Sequence, residues 1–77
     1  MTCEYFVGRT SYNPATKRTT YRSRCFNTES EAAMYYSETR GRAKGTARKI
    51  EGWTCDMYIE EHKGTTWRIL KRERVVG

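Results

Sequence analysis

From Trp53 to Glu60 the chain alternates without a break. Trp53, Cys55, Met57 and Ile59 fall on one side, and Thr54, Asp56, Tyr58 and Glu60 on the other. A period of two is that of a β-strand, so the first set shares one face of a sheet and the second the opposite face. The chain has 77 residues, enough for one core and no second. That core must lie against the Trp53–Ile59 face, and the whole of 1–77 reads as a single domain.

Other elements arrange themselves around this strand. Thr28-Glu29-Ser30-Glu31 is a capping box, in which the Thr28 hydroxyl accepts from the amide of Glu31. The helix it opens carries Ala32, Tyr35, Tyr36 and Thr39 on one face, flanked by Ala33 and Met34. Gly41 or Gly45 is expected to end it after three to four turns, with Arg40, Arg42 and Lys44 at the negative end of its dipole. Before the helix lie two β-like runs, Cys3 to Tyr12 and Thr16 to Phe26, joined at Asn13-Pro14-Ala15. That loop sets Cys3 opposite Cys25 and Val7 opposite Tyr21, with Tyr21 inward and the even-numbered arginines outward. After the helix, Thr46 to Glu51 offers a further short strand. A final hairpin then turns through His62-Lys63-Gly64, with Gly64 left-handed, pairing Ile59 with Trp67 and Met57 with Ile69. The expected fold is α+β: a twisted antiparallel sheet of four to five strands with one helix packed across it, in the order β-β-α-(β)-β-β. Trp53, Trp67, Tyr5, Tyr21 and Tyr36 are its expected inward aromatics.

Composition narrows the function. Fifteen cations against nine acids give a net charge of +6. No apolar run is long enough to span a membrane. The N-terminal Met1-Thr2-Cys3-Glu4-Tyr5 lacks the basic-then-apolar pattern of a secretory leader, so a cytoplasmic location with three reduced cysteines is expected, function requiring no bridge although Cys3 and Cys25 are near enough to pair on oxidation. Cys3, Cys25, Cys55 and His62 have no Cys-x-x-Cys knuckle to preform a zinc site. Glu60, Glu61 and His62 fall at a strand end and turn, and no carboxylate pair has catalytic spacing. No cofactor motif is present, and an enzyme is not expected.

The cations are patterned. Arg18, Arg22 and Arg24 follow a period of two on the second strand. Arg40, Arg42, Lys44, Arg48 and Lys49 spread through a segment punctuated by Gly41 and Gly45. Arg68, Arg72 and Arg74 repeat the period of two on the last strand, so eleven of the fifteen cations fall in three sets. Arginine outnumbers lysine ten to five, and its planar fork suits phosphate or carboxylate. The first two sets are the candidate binding residues, and Tyr12 and Tyr58 are the candidate exposed aromatics. One use of such a surface is direct binding of DNA or RNA along a phosphate backbone.

The order of capped helix, Gly-Thr-initiated strand and Trp-bearing hairpin resembles small phage-encoded type I anti-CRISPR proteins. The matching stretch is Gly45-Thr46-Ala47-Arg48-Lys49-Ile50-Glu51, then Trp53 to Tyr58, Lys63-Gly64 and Trp67. It covers about the C-terminal half of the sequence. The resemblance implies a non-enzymatic inhibitor in the host bacterial cytoplasm. Its partner would be a protein or nucleoprotein complex, a CRISPR–Cas effector, whose access to nucleic acid it blocks.

Overall fold

The computed structural model describes residues 3–76. Met1, Thr2 and Gly77 lie outside them, and with them the first two residues read for a leader. The elements are β1 (Tyr5–Asn13), β2 (Arg18–Phe26), α1 (Glu29–Lys49), β3 (Thr54–Lys63) and β4 (Thr66–Val76). The strands form one antiparallel sheet in the order β2-β1-β3-β4. This is the expected α+β arrangement with four strands. The optional fifth strand at Thr46–Glu51 is instead the last turn of α1 and the turn that follows it.

β3 lies in the middle of the sheet, and its strict alternation makes the core. Cys55, Met57 and Ile59 are buried beneath α1, with Trp53 and Val7 beside them. Burial of each large side chain contributes about 1.5–3 kcal/mol. The helix presents Ala32, Tyr36, Thr39, Ala43 and Ala47 to this face. Three alanines in that stripe let the helix backbone approach the sheet closely.

The helix does not end at its glycines. It runs 21 residues, because Ala43 and Ala47 continue the buried stripe past Gly41 and Gly45. Each glycine costs a helix about 0.5–1 kcal/mol, which the packing of that stripe offsets. The N-cap is as expected: the Thr28 Oγ1 accepts from the Glu31 amide at 3.2 Å. The chain leaves the helix at Ile50, and Gly52 supplies the left-handed turn, with φ +81°.

Both hairpin registers differ from expectation. The first loop is Pro14-Ala15-Thr16-Lys17, with Lys17 at φ +58°, and it pairs Val7 with Arg24 rather than with Tyr21. One additional loop residue exchanges the two faces of β2. Tyr21 is therefore on the side away from the helix, and Arg18, Arg22 and Arg24 are on the helix side. The last loop has two residues, Gly64-Thr65, with Gly64 left-handed as expected. It pairs His62 with Trp67 and Glu60 with Ile69, and after a bulge it pairs Ile59 with Lys71 and Met57 with Glu73. This loop is one residue shorter than expected, so Trp67 and Ile69 leave the core. The bulge, with Leu70 as the extra residue, then switches the parity of β4 and returns Lys71, Glu73 and Val75 to the helix side. Arg68 falls on the helix side while Arg72 and Arg74 fall on the other, so they do not form one row.

Cys3 and Cys25 are joined by a disulfide with Cα atoms 5.7 Å apart, and Cys55 is a buried thiol. The expected proximity of Cys3 and Cys25 is thus realised as a bridge rather than as two reduced thiols, which removes them from any metal set with Cys55 and His62. No helix among the described residues is long and apolar enough to cross a membrane.

Candidate functional site

One concentration of unpaired cations lies on β1 and β2. Arg9 shares the helix side of β1 with Val7, and its direct partner across the ladder is Arg22. Arg24 and Arg18 lie two and four residues along β2 on the same face. Like charges directly opposite one another destabilise a sheet. Among the described residues none of these four arginines makes an ion pair. Arg24 is nevertheless held in place: its guanidinium lies 5.2 Å from the Tyr35 ring and 5.6 Å from that of Phe26. The result is a ledge of arginines along edge strand β2, beside the helix, with one member pre-positioned by aromatic faces. Arg9 did not stand out in the sequence, although it shares the parity of Tyr5 and Val7.

The second expected set is divided. Arg40 is a structural residue. It donates from Nε to Glu73 at 3.0 Å, and the Tyr36 hydroxyl donates to the other Glu73 oxygen at 2.8 Å. Burial alone would raise the Glu73 carboxyl, but the Tyr36 and Arg40 bonds outweigh it and hold it below the usual range. Arg42 faces Glu38 one turn back at 3.8 Å. Lys44, Arg48 and Lys49 line a groove of about 770 Å³ between α1 and β4, whose floor includes Ala47 and Val75. These cations sit on a continuous helix, not on an adaptable glycine-flanked segment.

The face of the sheet away from the helix is open and aromatic. Phe6, His62 and Trp67 stand side by side across three strands, with ring centroids 4.4 Å and 3.9 Å apart. His62 is therefore a half-buried strand residue, not a turn residue, and its Nε2 meets the Glu60 carboxylate at 2.7 Å. Trp67 is 66% exposed at the end of this row. Tyr58 extends over Gly8, where any Cβ would collide with its ring, and its hydroxyl meets that of Tyr21 at 2.9 Å. That hydrogen bond, with burial, pushes the Tyr58 phenol up to about 12. Tyr12 is exposed farther along the same face. Asp56 is clamped by Arg74 through two bonds of 2.8 and 3.2 Å, and Arg74 holds its carboxyl below the usual range.

Of the candidate residues, the fold brings Arg18, Arg22 and Arg24 together and adds Arg9. It gathers Lys44, Arg48 and Lys49 in the α1–β4 groove and commits Arg40 and Arg42 to ion pairs. Tyr12 and Tyr58 lie on the opposite side of the sheet, joined by Phe6, Tyr21, His62 and Trp67. A search of protein-family models, curated proteins and solved structures found no match to this chain.

Proposed function

We propose that this chain is a non-enzymatic module that binds nucleic acid directly, gripping the phosphate backbone with the β1–β2 arginine ledge. The observation that carries this reading is the Arg9–Arg22 pair, set directly opposite on neighbouring strands, with neither arginine making an ion pair among the described residues. Such a pair costs folding stability, and a polyanion laid along β2 offsets that cost. Residues two apart on a strand are spaced by ~6.6 Å, close to the separation of successive phosphates. The better-buried carboxylates, Glu61 and Glu73, are engaged by cations and belong to the scaffold.

The test is anisotropy of a labelled duplex over a salt series, with the wild type and the Arg22→Ala/Arg24→Ala variant. Each phosphate contact contributes about 0.9 to the slope of log K against log salt, so removing two should make it shallower by about 1.8. Circular dichroism should be unchanged, because both side chains are exposed. Equal slopes for the two proteins would exclude the ledge as the phosphate contact.

A second reading is the phage-type inhibitor of a CRISPR–Cas effector. The exposed Trp67 and Ile69 favour it, since large apolar side chains anchor protein interfaces. The Gly45–Lys49 part of the resembling stretch is helix rather than strand, so this reading rests on the closing hairpin. Capture of an effector from nuclease-treated lysate, abolished by Trp67→Ala, would support it against direct binding.

A further inference from the structure

We infer that the open face of the sheet is a stacking platform for unpaired bases, which makes the protein selective for single-stranded over duplex nucleic acid. The inference rests on the nucleic-acid reading above and specifies its substrate. In the Phe6–His62–Trp67 row Phe6 packs at a tilt against the imidazole, which in turn stacks on an indole 66% exposed to solvent. A base placed on the free face of Trp67 continues it as a further layer. Beside the row, at the β4 bulge, a hollow of about 250 Å³ is lined by Tyr58, Glu60, Ile69 and Arg72. It combines an aromatic ring, an aliphatic wall and a guanidinium, the chemistry that holds a nucleobase and its phosphate.

Asp56 is bridged by Arg74. Glu60, the carboxylate in the hollow's lining, accepts a hydrogen bond from His62 and shares the hollow with Arg72. Arg72 has no ion-pair partner among the described residues. The platform is also continuous with the ledge. Edge strand β2 carries Arg22 and Arg24 on its helix side and Tyr21 on the open side, where Tyr21 meets Tyr58. A flexible single strand that rounds this edge reaches both surfaces. A duplex cannot, since its bases are already paired and stacked.

The experiment uses the intact chain, oligothymidylate and a duplex of equal length. Trp53 is 9% exposed and Trp67 66% exposed, so a change in tryptophan emission reports mainly on Trp67. Oligothymidylate should quench that emission and bind at least about tenfold more tightly than duplex. Trp67→Ala, at an exposed site, should lose about tenfold toward the single strand and leave duplex affinity unchanged. Arg72→Ala should do likewise without removing an aromatic ring. If Trp67→Ala and Arg72→Ala bind oligothymidylate like the wild type while Arg22→Ala/Arg24→Ala loses both ligands, the platform is wrong and the ledge stands. If the wild type binds neither ligand at low salt, the nucleic-acid reading itself fails. Protection of Trp67 by a protein partner but not by oligothymidylate would assign this face to protein instead.

Discussion

Gly8 illustrates how much one side chain, or its absence, decides on the open face. A Cβ at this position would collide with the end of the Tyr58 ring. Glycine therefore lets Tyr58 extend across β1 to Tyr21 on the next strand, spanning three strands with a single hydrogen bond. That bond, aided by burial, favours the neutral phenol and raises Tyr58 to about 12. The sign follows from linkage: the folded pKa lies above the ordinary value of about 10. The stabilisation is present below pH 10 and is lost as pH rises through 12. Phenolate absorbance should therefore show Tyr58 among the tyrosines that titrate late, beside Tyr36 and Tyr5, whose phenols burial and a neighbouring carboxylate also push up, and Tyr21→Phe should bring one of these late midpoints down toward the ordinary value. An unchanged titration in Tyr21→Phe would mean that burial alone sets Tyr58. Gly8 could be read in the sequence only as a small residue in a strand, because its partner Tyr58 lies fifty residues away.

At the scale of elements, α1 is longer than its local sequence suggests. Nothing lies within 4 Å of a Cβ placed at Gly41 or Gly45. Alanine at either position should stabilise the helix by about 0.5–1 kcal/mol, because it restricts the unfolded chain and adds no clash. Together the two changes should raise the melting temperature by about 5–10 °C. A helix that ended at Gly41 would show no such gain, so the double variant measures where α1 stops. The β3 face and the Thr28 cap were legible because each is set by neighbours in sequence. The helix end was not, because the Ala43–Ala47 stripe that carries the helix past its glycines gains its value only against the distant sheet. Register was lost for a different reason. One more residue in the Pro14–Lys17 loop and one fewer in the Gly64-Thr65 loop each invert which side chains face the helix, and the bulge beside Ile59 reverses the second inversion farther along β4. Pairing apolar with apolar side chains puts Trp67 inside, whereas the core closes around Tyr36 with Leu70 packed partly buried against it, and Trp67 lies outside.

Across the whole molecule, the net charge of +6 is unevenly settled. Cations at Arg40, Arg68 and Arg74 are matched to carboxylates within 3.0 Å. Among the described residues those at Arg9, Arg18, Arg22 and Arg24 are not, although they share one flank of a body of 40 × 20 × 18 Å. Folding alone gives no reason to keep Arg9 opposite Arg22, since a cross-strand pair of opposite charge stabilises by about 0.2–1 kcal/mol and a like pair costs a similar amount. If the ledge serves an anionic ligand, one substitution should separate its two roles. Arg22→Glu converts the like pair into an opposite pair with Arg9, so the free protein should melt about 2–5 °C higher at low salt, a gain that shrinks as salt screens it. The same change places a carboxylate where a phosphate would sit, so nucleic-acid binding should fall further than in Arg22→Ala. A stabilised protein that no longer binds identifies a residue retained for its ligand at the expense of the fold. A destabilised Arg22→Glu would mean that the arginine contributes to folding after all. Retained binding would move the ligand to the Lys44–Arg48 groove, which the substitution leaves intact.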